Sequence, residues 1–385
     1  MNKHSEYKMV ATTMHGLEEV LSVELTSLGA RDVKILNRAV EFFGDLGFMY
    51  KANLNLRTAI RILKPIYKFE SFTQEDFYRK VSDFNWTKYL NVDNTFCVNI
   101  AGFSPIFTHS KYTALLTKDA IVDYFRLKFK KRPNIDLDYP DVKIYIHLFQ
   151  NEFTISLDSS GSSLHKRGYK VSSVEAPINE VLAAGLILLS DWNRLNNFYD
   201  PMCGSSTFLI EAAMIAKNIP PNIFRKRFGF ESWTDFDQDL WMKIKDVSLD
   251  KEIDFLGEIT GSDILRKCLR SSRSNINNAL MRDDISVFVN DFFDSNSINS
   301  HVIFNPPYGE RLLIGTNDFY KKIGDVLKHK YQGCTVWIIT SDLENVKYIG
   351  LKPSKKIKVY NGKLECRFLR YDIYSGSKKV KSKSD

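Results

Sequence analysis

A regular alternation of strand-like and helix-like segments in the second half of the chain limits its fold more than any other feature. From about residue 171 onward, an apolar helical stripe in INEVLAAGLILL precedes a series of short strand-like segments with helical patterns between most of them: FYD, GEITGSD, ISVFVND, HVIFN, TVWIIT, KIKVY and RFLRYDI. Such alternation predicts an α/β domain with a mainly parallel sheet covered by helices on both faces. The Asn361-Gly362 turn signal in YNGKLE indicates that this sheet ends in an antiparallel pair.

The first 170 residues have a different pattern. Residues 1–69 predict the order strand, helix, strand, strand, helix, strand, which is typical of a small α+β domain of the ferredoxin-like type. Residues 70–170 contain further strand-like segments and one long helix, KYTALLTKDAIVDYFRLKF. Because 385 residues exceed the size of one ordinary core, we predict separate domains at 1–69, 70–170 and 171–375, followed by a basic tail at 376–385.

Composition excludes some classes of protein and favours one kind of partner. A net charge of +8 favours a polyanionic partner, although many enzymes share such a charge. No apolar run approaches membrane-spanning length, and the N-terminus MNKHSEYKMV lacks an apolar signal core, so we expect a cytoplasmic protein. The cysteines form no CxxC pair, so we expect no disulfide scaffold and no metal site; they are Cys97, Cys203, Cys268, Cys334 and Cys366.

Polar residues follow three successive strands of the predicted sheet, at the point where each strand ends. They are Asp200 before the turn PMCGSS, Asp263 in GSDIL, and Asn290 with Asp291 in VFVNDFFD. Nucleotides bind at this edge of an α/β sheet, where Asp263 could accept ribose hydroxyls and Phe292 could pack on adenine. Neither GxGxxG nor a P-loop is present, so a pyrophosphate site is disfavoured. Each acid alone could instead be a helix N-cap, but together they favour an adenosine pocket.

The segment NPPY, formed by Asn305, Pro306, Pro307 and Tyr308, follows a predicted buried strand. An exocyclic amine on an aromatic base is a poor nucleophile because its lone pair is delocalised into the ring. The carbonyl groups of Asn305 and Pro306 could accept the two amine hydrogens, and proline would hold the segment rigid without a competing donor. Tyr308 offers a flat face for an extruded base. The predicted chemistry depends on positioning and electrostatics and needs no metal.

Four longer motifs resemble those of the THUMP-containing RNA guanine-N2 methyltransferases: NPPYGER, DPMCGSSTFLIEAAMIA, APINEVLAAGL and HSKYTALLTKDAIVDYF. The similarity extends over nearly the whole chain and is greatest to the N-terminal half of the bifunctional bacterial 23S rRNA guanine-N2 methyltransferases and to their single-domain relatives. The resemblance implies a Rossmann-like, seven-stranded methyltransferase domain preceded by ferredoxin-like and THUMP domains. It also implies S-adenosylmethionine as cofactor and RNA as substrate, with 23S rRNA ahead of tRNA.

The resemblance also assigns roles to individual residues. Those implied to be catalytic are Asn305, Pro306, Pro307 and Tyr308. Those implied to contact the cofactor are Asn179, Asp200, Pro201, Cys203, Gly204, Ser205, Asp263, Asn290, Asp291, Phe292 and Asn305. Candidate RNA contacts are His109, Lys111, Lys118, Lys166 and Arg167. An exposed helical lysine with no such role is the alternative for Lys118.

Two features depart from the family pattern. Ser206 stands where the family's cofactor turn has its last glycine, so we do not expect a positive φ at this position. The chain ends at Asp385, so we expect no second methyltransferase domain.

Other functions stay open. A DNA adenine-N6 methyltransferase would use the same NPPY segment, and an RNA-binding assembly protein could keep the fold without much catalysis. Glutamine methylation of a protein also uses NPPY, but the N-terminal segments disfavour it. The THUMP-like region favours RNA over DNA, and the intact Asn305, Tyr308 and Asp263 favour an enzyme.

Overall fold

The computed structural model describes residues 5–173, 177–297, 299–307 and 316–374, and these residues form two compact units. Unit 1 contains the residues up to Thr13, Leu21–Leu164 and Arg225–Val247. Unit 2 contains Met14–Val20, His165–Phe224 and the residues from Ser248 onward. The predicted basic tail at 376–385 lies outside the described residues, as does Tyr308.

The helices in the described part of the chain agree with the predicted helical stripes and add several others. Their bounds are α1 (Glu18–Leu28), α2 (Leu46–Asn55), α3 (Gln74–Asp83), α4 (Ser110–Phe129), α5 (Glu180–Leu189), α6 (Thr207–Ala216), α7 (Gln238–Leu249), α8 (Arg266–Asn278) and α9 (Thr316–Lys330). Gly29 follows α1 at φ +99°, in the left-handed region that glycine adopts after a helix. None of these helices, within the described residues, is long and apolar enough to span a membrane.

One eight-stranded sheet forms the centre of unit 1. Its strands are β1 (Tyr7–Thr12), β2 (Arg31–Leu36), β3 (Ala39–Gly44), β4 (Arg61–Glu70), β5 (Thr95–Phe103), β6 (Asn134–Ile135), β7 (Val142–Phe149) and β8 (Glu152–Asp158). They lie in the order β2-β3-β1-β4-β8-β7-β5-β6. The predicted ferredoxin-like strands and the strands of residues 70–170 therefore share one sheet, because β4 pairs antiparallel with β8.

Residues 225–247 belong to unit 1, although the sequence pattern assigns them to the α/β domain. Aromatic contacts explain their place. The ring of Tyr50 stacks on Phe230 with centroids 4.3 Å apart and meets the edge of Trp241 at 6.0 Å. The backbone N–H of Asp237 donates to the Tyr50 hydroxyl at 3.0 Å. Phe230 is fully buried as a result.

A seven-stranded sheet forms the centre of unit 2. Its strands are β9 (Phe198–Asp200), β10 (Ile259–Asp263), β11 (Ile285–Val289), β12 (His301–Phe304), β13 (Thr335–Thr340), β14 (Lys355–Asn361) and β15 (Leu364–Asp372). They lie in the order β11-β10-β9-β12-β13-β15-β14. The first five are parallel, whereas β15 runs antiparallel to both β13 and β14, which confirms the predicted antiparallel end.

The strand order fixes the position of a ligand site. β9 lies between β10 and β12, so the chain continues from β9 through β10 to β11 on one side and then returns to β12 on the other side of β9. Ligands of open α/β sheets bind at the carboxyl ends of the strands beside such a switch point. The predicted polar residues end β9 and β10 or follow β11 and β12, and all of these strand ends lie at the same edge.

Candidate active site

The turn after β9 is held close to β10 by backbone contacts. Asp200 ends β9, and its Oδ1 accepts the N–H of Met202 at 3.0 Å. The N–H of Cys203 donates to the carbonyl of Ser262 in β10 at 2.9 Å. Gly261 permits this approach, since a Cβ there would lie 2.4 Å from Leu209 Cδ1 and 3.0 Å from Cys203 Cβ. Burial, and secondarily the charge of Asp263, raises the pKa of the Asp200 carboxyl well above its usual range.

Ser206 adopts the backbone conformation that the sequence did not lead us to expect. Its φ of +64° and ψ of +29° lie in the left-handed region, and Gly204 in the same turn has φ +53°. The expectation was therefore wrong. The side chain supplies the reason, because Ser206 Oγ hydrogen-bonds to Ser272 Oγ of α8. A polar side chain with a fixed partner can offset the modest steric cost of this conformation for a residue with a Cβ.

The side chain of Asn275 in α8 hydrogen-bonds to the turn after β9, and the sequence pattern did not identify this residue. Its Oδ1 accepts the N–H groups of Val171 and Ser172 at 2.9 and 3.0 Å. Its Nδ2 donates to the carbonyls of Ser172 and Ser205 at 2.8 and 3.1 Å. All four hydrogen-bonding positions of this buried amide are thus occupied. A polar residue on the buried stripe of α8 was the only signal that could have found it.

Asp263, the acid that ends β10, retains acceptor capacity. Asp263 is partly exposed, and its Oδ2 accepts the N–H of Gly204 at 3.0 Å while Oδ1 accepts the N–H of Leu265 at 2.8 Å. Each carboxylate oxygen has a second lone pair for a ligand hydroxyl. The N–H of Asn290 donates to the carbonyl of Asp263 at 3.3 Å, so the ends of β10 and β11 are joined here.

The residues after β11 have structural partners as well. Asp291 caps the 3₁₀ turn Phe292–Asp294, and its side chain accepts the N–H of Phe293 at 3.0 Å. Phe292 is 3% exposed, and its ring packs at centroid distances of 5.3 Å from Phe304 and 5.8 Å from Tyr331. The N-cap alternative therefore describes a role that Asp291 fulfils, and contact with a ligand is an additional, predicted role.

Asn179 precedes α5 and caps it. Its side-chain oxygen accepts the N–H groups of Val181 and Leu182 at 2.9 and 3.3 Å. The oxygen is therefore committed to the helix, and the side-chain nitrogen is the part of Asn179 that a ligand could use.

The NPPY segment begins where the fully buried strand β12 ends. Asn305 is partly exposed, Pro306 is buried, and Tyr308 lies outside the described residues. β12 pairs parallel with β9, with Val302 opposite Tyr199, so Asn305 comes shortly beyond the level at which β9 reaches Asp200. Within the ranges that the structure describes, the Asn305 amide makes no hydrogen bond. Its carbonyl oxygen is therefore an available acceptor at this edge.

The start of α6 tests whether S-adenosylmethionine fits. The hydroxyl of Thr207 is buried and, among the described residues, has no hydrogen-bond partner. Ser206, the N-cap residue, makes no side-chain capping bond, so the first N–H groups of α6 offer a place for a carboxylate. Asp263 can accept ribose hydroxyls. The donors and acceptors thus fit the carboxylate and ribose of the cofactor. Over the same described ranges, no cluster of acids, histidines and cysteines could hold a metal ion.

The candidate RNA contacts differ in exposure. His109 and Lys111 lie at the start of α4 and are exposed, as is Lys166. Lys118 is partly exposed and forms an ion pair with Asp119 at 2.5 Å. These residues stay predictions.

Arg167 does not fit an RNA-binding role, and its assignment is wrong. It is 1% exposed, its Nε lies 3.3 Å from Glu211 Oε1, and its Nη1 donates to Asn222 Oδ1 at 3.2 Å. A guanidinium committed to a buried carboxylate cannot reach a phosphate, because breaking such a pair leaves an uncompensated buried charge.

Three protein families match successive parts of the chain. A family described as "RMKL-like, methyltransferase domain" matches residues 167–370. The RlmL ferredoxin-like domain matches residues 8–63, and the THUMP domain matches residues 72–158.

Two curated relatives cover nearly all of this chain. The Synechocystis sp. protein named "Putative RNA methyltransferase slr0064" is 38% identical, over 94% of this chain and 96% of its own length. The Hydrogenovibrio crunogenus protein named "Ribosomal RNA large subunit methyltransferase K/L" is 35% identical over 95% of this chain. The chain spans about half of that longer protein, 52% of its length.

Solved structures share the architecture. The crystal structure of SMU.472, described as "a putative methyltransferase complexed with SAH", is 32% identical and superposes with a TM-score of 0.85 over 98% of this chain and all of its own. A Listeria monocytogenes protein described as "a predicted N6-adenine-specific DNA methylase" is 30% identical, with a TM-score of 0.84 over 97% of each chain. The Listeria description names DNA, whereas the SMU.472 description names no nucleic acid.

Proposed function

The chain belongs to the family of RMKL-like methyltransferases, and on that premise we propose that it methylates the exocyclic N2 amine of a guanine in large-subunit ribosomal RNA. The methyl donor is S-adenosylmethionine, whose by-product SAH is named for a structural relative of 32% identity. The methyl group of bound S-adenosylmethionine would be the electrophile. The domains at 1–69, 70–170 and 171–375 form part of the same proposal.

The observation that carries the proposal is the position of Asn305. The side-chain amide oxygen of Asn305, which makes no hydrogen bond within the described residues, follows β12 at the same edge of the sheet as the turn after β9 and the carboxylate of Asp263. An acceptor at this edge can take a hydrogen of an aromatic amine and localise the nitrogen lone pair. The backbone carbonyl of Pro306 would accept the second hydrogen, and the fixed φ of proline limits motion of the segment.

The proposed reaction needs only positioning and electrostatics from this chain. When bound, S-adenosylmethionine would supply the methyl group, with its sulfur keeping the electrons of the broken carbon–sulfur bond, and the methylated amine would release one proton to water. Asn305 and Pro306 orient the nitrogen so that its lone pair faces the methyl carbon. Their carbonyls also stabilise the positive charge that develops on the amine, since they face its hydrogens. Tyr308 is proposed to stack on the base, which must leave its helix to reach the site.

The proposed substrate is RNA because a THUMP domain matches residues 72–158 and a relative of 35% identity is named for the large ribosomal subunit. Guanine N2 is proposed from the resemblance of the NPPYGER and DPMCGSS motifs. The description of the Listeria relative favours a second candidate, adenine N6 in DNA, which uses an amine of the same kind.

Deletion of the gene tests the proposal and separates the candidates. Nucleosides from purified 23S rRNA, tRNA and genomic DNA of the deletion strain would be compared with wild type by mass spectrometry. We expect loss of one N2-methylguanosine from 23S rRNA, restored by the wild-type gene and not by an Asn305→Ala gene. Loss from tRNA instead would correct the substrate, and loss of N6-methyladenosine from DNA would contradict the proposal.

A further inference from the structure

Helix α8 carries a cluster of positive charges that the proposed active site does not use. Arg266, Lys267, Arg270 and Arg273 lie on this helix, and Arg282 follows it shortly after its end. All five are exposed. The helix sequence RKCLRSSRSNINN contains no acidic residue, and within the described chain none of the five cations forms an ion pair.

The cations share one side of α8 because the other side is buried. The buried residues of the helix are Cys268, Leu269, Ser272, Asn275 and Ile276. Arg266, Arg270 and Arg273 follow one another at spacings of four and three residues, which places them on one helical face. We call this face, with Lys267 and Arg282, the α8 cationic face.

This arrangement works against the local stability of the helix. Arg266 and Lys267 lie in the first turn, where the positive end of the helix macrodipole disfavours cations. Arg270 has like-charged neighbours four residues before it and three residues on either side of it, and such pairs destabilise a helix. A polyanion bound along the face would remove both penalties. Charge complementarity therefore indicates a polyanionic partner.

A cavity beside the α8 cationic face indicates which kind of polyanion could bind there. It has a volume of about 340 Å³ and lies between the C-terminal half of α8 and the edge strand β11. Its lining combines two guanidinium groups with apolar side chains. The lining residues are Arg273, Ile276, Asn277, Arg282, Ile285 and Val287. Guanidinium groups bind phosphate, and an apolar floor accommodates a ribose or a base. The lining suits a nucleotide.

We propose that the α8 cationic face and this cavity bind the phosphate backbone of the RNA substrate. The inference rests on the proposed function, since it takes RNA as the substrate. α8 begins shortly after Asp263 and leads toward the opposite edge of the sheet, where the cavity lies, so RNA bound along it would extend away from the pocket of unit 2. Neutralising backbone phosphates contributes affinity without base specificity.

The test compares two full-length triple variants with the same loss of charge. The first is Arg270→Gln, Arg273→Gln and Arg282→Gln. The matched control is Lys352→Gln, Lys356→Gln and Lys363→Gln, at exposed positions of unit 2 that form no ion pair within the described residues. The affinity of each protein for fragments of unmodified large-subunit rRNA, transcribed in vitro, is measured over a series of salt concentrations. Calorimetry with S-adenosylmethionine checks that the pocket of each variant is intact.

We expect the α8 variant to bind RNA about tenfold or more weakly and the control to stay within about twofold of wild type. The slope of log affinity against log salt should become shallower by roughly 0.7–0.9 for each phosphate that the variant no longer neutralises. Arg270→Lys, Arg273→Lys and Arg282→Lys together should restore most of the slope, because they keep the charge. Cofactor affinity should be unchanged in all variants.

Equal RNA binding by the α8 variant and the control would overturn this inference while leaving the proposed function intact. The inference would also fail if the α8 variant loses only binding to anionic lipid vesicles, since the face would then serve a membrane. A wild-type chain that neither binds nor methylates RNA would instead overturn the proposed function itself.

Discussion

Asp263 and Asn305 lie at the same sheet edge and have different hydrogen-bonding states. Each oxygen of Asp263 already accepts one backbone N–H, from Gly204 or Leu265, and keeps a second lone pair. Asn305 makes no hydrogen bond in the described ranges. The acid is therefore fixed in place before a ligand arrives, as a binding group should be, whereas the amide is free to take up the hydrogens of a substrate amine.

Substitutions at these two residues should separate binding from chemistry. Asn305→Ala is expected to cut single-turnover methylation roughly a hundredfold or more, by analogy with the loss of one oxyanion donor. Its affinity for S-adenosylmethionine should be nearly unchanged. Asp263→Ala should weaken that affinity by about 1.5–3 kcal/mol, the range for hydrogen bonds to a charged group.

Quench-flow methylation and calorimetry measure the two effects. Normal turnover by Asn305→Ala would show that the segment after β12 is structural. An unchanged dissociation constant for Asp263→Ala would remove the ribose assignment.

Asp200 gives a pH-dependent prediction. Burial first, and the charge of Asp263 second, raises the pKa of this carboxyl in the folded protein. A carboxyl with a raised folded-state pKa stabilises the folded protein only while it is protonated. This contribution is complete below the unfolded-state pKa of 3.8 and is lost as the pH rises through the folded-state pKa. Asp200→Asn stays neutral and can still accept the Met202 N–H. The variant should therefore unfold at a higher temperature than wild type at pH 7, with a difference that shrinks toward pH 4.

Thermal unfolding from pH 3.5 to 8 measures this difference. Asp283→Asn, at an exposed position, is the matched control. A variant that is less stable than wild type at pH 7 would contradict the assignment of Asp200 as a buried, destabilising charge.

At the scale of elements, local sequence predicted the strands of unit 2 and the turn after β9, because both depend on residues close together in the chain. It could not predict what holds the turn. The hydrogen bonds of Asn275 connect positions about 70 and 100 residues apart, 205 with 275 and 171–172 with 275, and such contacts leave no periodic signal. The positive φ of Ser206 was missed for the same reason, since its partner Ser272 is distant in sequence.

Removing the Asn275 side chain should loosen the cofactor turn. Asn275→Ala leaves the N–H groups of Val171 and Ser172 and the carbonyl of Ser205 without their partner. The free energy of unfolding should fall by about 2 kcal/mol or more, because buried groups left unpaired cost about 1–3 kcal/mol each. Affinity for S-adenosylmethionine should fall as well.

Urea unfolding and calorimetry test this prediction, with the exposed Ser274→Ala as control. Wild-type stability of Asn275→Ala would show that water replaces the amide at little cost.

At the scale of the whole molecule, the sequence predicts the order of the domains, but it does not predict which segments of the chain pack together in each unit. Residues 225–247 lie within the predicted α/β domain and pack in unit 1 around Tyr50. Residues 14–20 show the reverse, since Leu17 belongs to unit 2 and packs so closely on Gly185 that a Cβ added there would lie 2.6 Å from Leu17 Cδ1. Sequence patterns assign each segment to its neighbours in the chain, and these exchanges depend on distant apolar contacts.

A fragment of residues 171–385 should therefore be less stable than unit 2 in the full chain. It lacks Leu17 and exposes Phe230 and Trp241, which are 0% and 5% exposed in the whole structure. We expect aggregation during expression. Replacing residues 225–247 of the fragment by a short Gly-Ser linker should improve its solubility, because it removes the exposed aromatic rings. Gel filtration compares the two fragments, and a monomeric 171–385 fragment would contradict this expectation.

Methyl transfer by the purified full-length chain is the decisive experiment for the proposed function. The enzyme would be incubated with S-adenosylmethionine carrying a deuterated methyl group and with unmodified 23S rRNA, tRNA or genomic DNA, and the nucleosides would be analysed by mass spectrometry. We expect deuterated N2-methylguanosine from 23S rRNA with the wild-type chain and little with Asn305→Ala. Deuterated N6-methyladenosine from DNA, with no deuterated nucleoside from either RNA, would show that the proposed substrate is wrong.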